Sequence, residues 1–155
     1  MPMLLLVFQL AAHRFALDTQ KVVEVLPRVQ VRPLPQAPTG VAGVFNYHGA
    51  PVPLIDLAAL ALGQSSRPRM STRIILVNYE DGADAHLLGL LAEKTTDTIR
   101  RAEADFVDAG VAVDSAPYLG PVTNDERGMI QRVEIKQLLT ESVRAILFRQ
   151  PLETA

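Results

Sequence analysis

The sequence contains no cysteine and no tryptophan, and aromatic residues make up only 5% of its 155 positions. Without cysteine the chain has no disulfide framework, no thiolate nucleophile and no zinc site built from cysteine ligands. The absence of disulfides is compatible with a reducing compartment. We therefore expect a cytoplasmic protein.

An excess of positive charge is also missing. The chain has 15 lysines and arginines against 17 aspartates and glutamates, for a formal net charge of -2. Nucleic acids and anionic membranes are bound by positive surfaces, and single-stranded nucleic acids are bound through aromatic stacking as well. The charge balance and the few aromatics therefore predict no nucleic-acid partner and weigh against an oligonucleotide-binding barrel.

Long hydrophobic runs are the third absence. No apolar run approaches the roughly 18 residues that a membrane-spanning helix needs. The run at residues 4–8 is too short for the core of a signal peptide, and no lysine or arginine precedes it. We expect a soluble protein without direct membrane insertion, whose contact with a membrane would come through a partner.

Residue groups that carry chemistry are sparse. The histidines His13, His48 and His86 stand at spacings that match no compact zinc or iron motif. No serine or lysine lies in a nucleophile motif, and no glycine-rich loop opens a long helix as phosphate binding requires. We therefore predict no catalytic residue, no metal and no cofactor, and hence a protein that is not an enzyme.

The strongest local signal lies in residues 43–63. Gly49 can adopt the positive φ of a tight turn, and Pro51 and Pro53 each remove a backbone donor, which is typical of an edge strand or a barrel rim. Asp56 stands where its carboxylate can cap a following helical turn of leucine and alanine. The segment thus predicts a strand, a tight turn, a second strand and a capped helical turn.

Short apolar stretches separated by turn residues continue along the chain at the spacing of all-β sandwiches and barrels. Residues 73–77 and 86–91 predict one antiparallel pair, residues 95–99 a further strand, and residues 118–123 and 129–133 a last hairpin. The polar loop at residues 64–71 is the best place to divide the chain into halves. Valines at 29 and 31 alternate with polar residues and predict a half-exposed strand.

The carboxyl-terminal segment differs from the rest. Apolar residues in the range 135–147 recur at the three- and four-residue spacing of an amphipathic helix, with Glu134 near its start and Arg144 near its end. This stripe predicts a helix that packs on a β-barrel.

Two stretches carry a resemblance to a known family. Residues 43–49 read Gly-Val-Phe-Asn-Tyr-His-Gly, and residues 52–57 read Val-Pro-Leu-Ile-Asp-Leu. They resemble the hallmark of CheW-like domains, which is Gly-Val-Ile-Asn-Leu-Arg-Gly followed by an aliphatic residue, Pro, two aliphatics, Asp and Leu. Residues 6–10, 15–18 and 22–25 are similar to the family's opening strands, and residues 118–120, 129–130 and 135–139 to its final hairpin and helix. The resemblance covers nearly the whole chain.

The resemblance implies an all-β fold with a C-terminal helix, in which two small SH3-like five-stranded β-barrels pack together. Residues 1–155 would form a single CheW-like domain, with one subdomain at about 13–65, the other at about 70–150, and the N-terminal strand shared between them. It also implies a non-catalytic adaptor. Such proteins couple the cytoplasmic tip of a chemoreceptor to the regulatory domain of a CheA-type histidine kinase, in the cytoplasm and at inner-membrane receptor arrays.

Four positions match residues that face the receptor in the family, namely Val22, Glu24, Gly43 and His48. His48 replaces the arginine of the family's turn, so a permanently charged guanidinium gives way to a ring that is mostly neutral near pH 7. Gly49, Pro53 and Asp56 are expected to be structural residues of the turn and cap. Each receptor-facing position has a simpler interpretation, in which it only shapes a turn or packs in a barrel.

A second class of function stays open from the sequence. A small β-barrel ligand-binding protein or enzyme would use the groove between the barrels as a pocket, with Asp56 or His48 at its mouth. A convergent cluster of polar groups in that groove would favour this alternative, whereas an open apolar surface would favour the adaptor.

Overall fold

Runs of valine, isoleucine, leucine and phenylalanine build most of this chain into short strands. The structure, a computed structural model, describes residues 2–64, 70–110 and 116–148. Nine strands and two short α-helices form within them. The strands are β1 (Met3–Leu10), β2 (His13–Asp18), β3 (Val22–Pro27), β4 (Val41–Tyr47), β5 (Ala50–Asp56), β6 (Thr72–Asp81), β7 (Asp84–Arg101), β8 (Leu119–Asp125) and β9 (Gly128–Val133). The helices are α1 (Leu57–Leu62) and α2 (Glu141–Leu147).

The first barrel contains β3, β4, β5, β6 and the first half of β7. β6 pairs antiparallel with both β3 and β7, β7 pairs parallel with β5, and β5 pairs antiparallel with β4. Arg32 and Val44 then exchange two backbone hydrogen bonds, of 2.8 and 2.9 Å, that join the segment after β3 to β4. The five strands therefore close on themselves.

The second barrel repeats this pattern with different parts of the chain. The second half of β7 pairs antiparallel with β1, β1 with β2, and β2 runs parallel to β9, which pairs with β8. Val107 and Val122 exchange two backbone hydrogen bonds of 2.9 Å and close the ring. The chain is thus all-β with a short C-terminal helix, and it forms two small SH3-like barrels, as expected.

These pairings place β2 in the second barrel and β6 in the first. A division of the chain at residues 64–71 would instead assign β2 to the first half and β6 to the second. Of that predicted dividing loop, residues 65–69 lie outside the described residues.

Strand β7 is shared by the two barrels. It pairs with β6 over residues 84–93 and with β1 over residues 93–101, so the expectation of two separate strands at 86–91 and 95–99 is wrong. A bulge between the two halves absorbs the change of direction, because Lys94 takes a φ of 49° and the register with β1 shifts there. One continuous strand therefore links the barrels.

The strand predicted from the valines at 29 and 31 is also wrong, since only Arg32 of that stretch makes a β-bridge. Pro27 and Pro33 flank the stretch, and neither has a backbone N–H to donate. A continuous ladder of hydrogen bonds to a neighbouring strand therefore cannot extend past either end of the stretch.

Segment 43–63 folds as its sequence predicts. His48 and Gly49 take φ values of 51° and 88°, the pair of positive angles that a two-residue hairpin turn requires. The Asp56 side chain accepts a hydrogen bond from the backbone N–H of Ala59 at 3.2 Å and caps α1. Along residues 50–53, which include Pro51 and Pro53, β5 pairs with β4 but not with β7, as an edge strand does.

The carboxyl-terminal helix is shorter than predicted. A 3-10 turn at Ile135–Gln137 comes first, and α2 begins only after Thr140, whose extended backbone and Oγ1 cap the helix by accepting from Val143 N–H at 3.3 Å. A single helix over residues 135–147 is therefore wrong, because a capping threonine interrupts it. The packing prediction is confirmed, since Val143 and Leu147 of α2 are partly buried against the largest core cluster, in which Leu138 and Leu139 are fully included.

That largest cluster lies between the barrels and includes Phe8, Leu17, Leu57 and Tyr79, all nearly without solvent exposure. Smaller clusters fill each barrel: one contains Phe45 and the other Leu5 and Ile130 and is lined by Phe106. The barrels consequently share a core and present their outer faces to solvent.

Candidate functional site

Three side chains from β3 and the β4–β5 hairpin meet on the surface of the first barrel. The Tyr47 hydroxyl donates a hydrogen bond of 3.0 Å to Glu24 Oε2, and this bond raises the pKa of Tyr47 above its usual value. The His48 ring packs edge-on against the Tyr47 ring, with centroids 4.3 Å apart and an interplanar angle of 70°. The structure therefore brings together Glu24 and His48, which are far apart in the sequence.

The hairpin turn holds the His48 ring outward. Its positive φ belongs to the turn itself, and the Asn46 side chain stabilises the turn by accepting a hydrogen bond of 2.8 Å from Gly49 N–H. His48 is exposed, as we expected, and so is Glu24. A carboxylate and an imidazole are thus both available to a partner, while their role in receptor contact stays a prediction.

Gly43 lies beneath this surface and not on it. Its φ is 147°, and a Cβ at this position would lie 2.2 Å from the Arg32 carbonyl oxygen, at the point where the segment after β3 crosses β4. Gly43 permits the backbone contact that closes the first barrel. Any effect of Gly43 on binding would act through the path of the backbone, because the residue is buried.

Val22 is half-buried and packs against the shared core, so it supports β3 from below. The next residues are more open: Val23 and Val25 are 44% and 38% exposed. A bulge between Val22 and Glu24 turns successive side chains outward, and β3 is the terminal strand of the sheet order.

The surface formed by Val23, Glu24, Val25, Tyr47 and His48 is called the β3–hairpin surface below. Sequence reasoning missed Val23, Val25 and Tyr47. The run of β-branched residues without clean alternation around Glu24 is the one signal that could have indicated an outward-facing apolar strand.

A broad hollow of about 620 Å³ adjoins the other side of the hairpin. Its lining is largely apolar and includes Val31, Pro33, Phe45 and Pro51, and no aspartate or glutamate is among its lining residues. Asp56 lies elsewhere, as the buried cap of α1. The hollow can receive apolar side chains of a partner, and it lies on the first barrel, not in the groove between the barrels where the ligand-binding or enzymatic alternative would place its pocket.

The three histidines do not converge. His13 is exposed beside the β1–β2 turn, His48 is in the hairpin turn, and His86 stacks on Phe148 with ring centroids 4.3 Å apart. In the described part of the chain, no three histidine, aspartate or glutamate side chains are grouped closely enough to hold a metal ion. Nor does any helix of that part combine the length and apolarity needed to cross a membrane.

Comparison with known proteins agrees with this architecture. A sequence profile of the CheW-like domain matches residues 4–143. A chemotaxis protein CheW from Rhizobium meliloti (strain 1021) is 26% identical over 102 residues, which are 66% of this chain and 63% of that protein. A chemotaxis protein CheW from Helicobacter pylori (strain ATCC 700392 / 26695) is 24% identical over 99 residues, or 64% of this chain and 58% of that protein. The alignments thus span less than two thirds of either relative.

The fold is also similar to a solved structure, that of the scaffolding protein TtCheW from Thermoanaerobacter tengcongensis. The TM-score is 0.80 at 24% identity, and the match covers 92% of this chain and 91% of that one. At this level of identity the likeness establishes the fold.

Proposed function

The chain belongs to the CheW-like domain family, and on that premise we propose that it is a non-catalytic adaptor that couples chemoreceptors to a CheA-type histidine kinase. Its partners would be the cytoplasmic tip of the receptor and the regulatory domain of the kinase. The adaptor would act in the cytoplasm and be recruited to receptor arrays at the inner membrane.

The observation that carries the proposal is the β3–hairpin surface. It combines a half-buried tyrosine hydrogen-bonded to an exposed glutamate, an exposed imidazole and two exposed valines on one barrel. Aromatic and apolar residues surrounded by polar ones are typical of protein interfaces. Of the positions predicted to face the receptor, Glu24 and His48 belong to this surface. Val22 supports it, and Gly43 sets the backbone beneath it.

The mechanism we propose is differential binding. An adaptor that holds receptor and kinase in a fixed geometry lets a conformational change of the receptor alter the activity of the kinase, provided that the receptor states differ in how they bind. This role requires two separate interfaces and no chemistry of the adaptor's own. The shared core and the continuous β7 support it, because they join the two barrels to each other.

Calorimetry with the purified regulatory domain of the cognate kinase tests the proposal. We expect a complex with a Kd in the tens of micromolar, about the range of a transient interface. A purified cytoplasmic fragment of the receptor should bind as well, and Glu24→Lys should weaken receptor binding while leaving kinase binding unchanged. Absence of heat with the kinase domain at these concentrations would contradict the proposal.

A further inference from the structure

A separate cavity lies at the bend where β7 passes from the first barrel to the second. Its volume is about 250 Å³, and its walls come from β1, β2, β6, β7 and the β8–β9 turn. None of its lining residues belongs to the β3–hairpin surface. The size is below that of most pockets for drug-sized ligands and suits a small group of a few heavy atoms.

The charge of this cavity is one-sided. Its cationic lining residues outnumber its single carboxylate, that of Asp97. The cations are Arg14, Arg73, Lys94 and Arg127. In a chain with a formal net charge of -2, this is a local concentration of positive charge.

Among the described residues, two of these cations have an ion-pair partner and two have none. Arg14 makes a bidentate pair with Asp125, and Arg127 lies 3.2 Å from Asp97. Arg73 donates through one terminal nitrogen to backbone carbonyl oxygens, and within the described residues neither Arg73 nor Lys94 forms an ion pair. Two positive charges at the cavity therefore lack an ion-pair partner in the part of the chain that the structure describes.

Thr95 supplies an independent indication of a ligand. Its side chain is 8% exposed, and its Oγ1 has no hydrogen-bond partner among the described residues. A buried hydroxyl without a partner destabilises the fold, and most such groups are satisfied in folded proteins. An acceptor bound in the cavity would supply the missing partner.

The bulge of β7 brings Lys94 and Thr95 to the same cavity. Consecutive residues of a regular strand point to opposite faces, yet both of these line the cavity. Lys94 achieves this with a φ of 49°, a strained conformation for a residue other than glycine, and its N–H is fixed by the Ser71 carbonyl at 3.1 Å.

We propose that this cavity is a binding site for a small oxyanion, either a phosphoryl or a carboxylate group, held by the charges of Lys94 and Arg73 and by the Thr95 hydroxyl. Phosphate and carboxylate oxygens accept hydrogen bonds from all three donors. A group bound there would touch both halves of β7 and so contact both barrels at once.

An NMR titration of the isolated protein tests this site without receptor or kinase. Inorganic phosphate and acetate are each added against sodium chloride at constant ionic strength, and the backbone amide shifts of the labelled protein are followed. We expect saturable shifts at Ser71, Lys94 and Thr95, with a Kd of about 1 mM for the preferred anion. Saturation by phosphate indicates a phosphoryl ligand, and saturation by acetate indicates a carboxylate.

Three variants make the test specific. Lys94→Asn removes the charge and keeps a residue that tolerates positive φ, and it should raise the Kd about tenfold. Thr95→Val keeps the shape and removes the hydroxyl, and it should raise the Kd about threefold to tenfold. Arg28→Gln makes the same charge change at an exposed residue that does not line the cavity, so its Kd should stay within about twofold of the wild type.

Shifts that rise linearly without saturation would overturn the proposal, as would equal Kd values for the wild type, Lys94→Asn and Thr95→Val. Because no partner protein is present, neither result bears on the adaptor function.

Discussion

The two barrels have the same strand pairings, but their corresponding hairpins carry different side chains. In the first, the β4–β5 hairpin places Tyr47 and His48 beside the exposed valines of β3, and Glu24 bonds only to a tyrosine hydroxyl among its described contacts. In the second, the corresponding β8–β9 hairpin uses Asp125 to bind Arg14 and Arg127 to bind Asp97. The second hairpin thus pairs its carboxylate and its arginine within the protein, whereas the first leaves an imidazole and two valines exposed beside it.

Both barrels have the same pairing pattern because backbone crossings and core packing constrain them in the same way. Each barrel has a bulge at the start of one hairpin strand, with a glycine in it, Gly43 in β4 and Gly120 in β8. Surface side chains are not constrained in this way. The two outer faces are therefore free to differ in function.

The largest loss of stability should come from adding a side-chain atom at Gly43, where the segment after β3 crosses β4. Gly43→Ala places a Cβ at a φ of 147° and 2.2 Å from the Arg32 carbonyl oxygen, so we expect a loss of about 3 to 5 kcal/mol in the free energy of unfolding. Gly120→Ala is the matched change, with its Cβ 3.1 Å from the Arg132 carbonyl oxygen, and should cost about 1 kcal/mol. Urea unfolding measures both, and equal losses would contradict the role given to Gly43.

A smaller effect should follow from the charge pair of the second barrel. The bidentate bond from Arg14 holds the pKa of Asp125 well below its usual value of 3.8. A depressed folded pKa stabilises the fold above the unfolded pKa, and this stability declines as pH falls below about 4 toward the folded pKa. Asp125→Asn should therefore cost about 1 to 2 kcal/mol at pH 7, with the difference from wild type shrinking below pH 4.

Urea unfolding at several pH values checks this expectation. A wild-type advantage over Asp125→Asn that stayed constant from pH 7 to pH 3 would show that the ionised pair is not its source.

Substitution of an exposed apolar residue on each barrel tests which barrel binds the receptor. Val23→Ser should weaken receptor binding about tenfold, because an apolar contact at an interface centre is lost, while stability changes by less than about 0.5 kcal/mol. Met129→Ser removes an apolar side chain that is 61% exposed on the second barrel, and it should leave receptor binding unchanged. Calorimetry with the receptor fragment compares the two, and an equal loss in both variants would contradict the assignment of the receptor to the first barrel.

The smallest effect concerns His48. If the receptor presents a carboxylate there, His48→Arg should tighten receptor binding by at most about fivefold, because a guanidinium is permanently charged and a single exposed ion pair contributes little. His48→Gln is the neutral control. Calorimetry with the receptor fragment that gave the same affinity for His48→Arg and His48→Gln would exclude a charge contact at this position.

Local structure was predictable from the sequence at positions where the residue type favours one backbone conformation or one hydrogen-bonding role. Gly49 in the hairpin turn and Asp56 as the cap of α1 follow from backbone freedom and carboxylate geometry, and both are confirmed. The single long helix failed because Thr140 is equally compatible with a helix interior and with a cap, and only its extended backbone shows which role it has.

Contacts between distant parts of the chain were not predictable in this way. Tyr47 and Glu24 are 23 residues apart, and Arg14 and Asp125 are 111 residues apart. Such pairs depend on which strands lie side by side, and the N-terminal hairpin joins the last strands in space. The family resemblance indicated Glu24 and His48 as a site, but only the structure shows that Tyr47 lies between them and contacts both.

Co-sedimentation with receptor-containing membranes tests the central claim, that this chain couples receptor to kinase through the β3–hairpin surface. The account predicts that the kinase pellets with the membranes only when the protein is added. It predicts further that Glu24→Lys abolishes this effect while calorimetry shows intact kinase binding, and that Met129→Ser behaves as wild type. Kinase that pellets equally without the protein, or equally with Glu24→Lys, would contradict it.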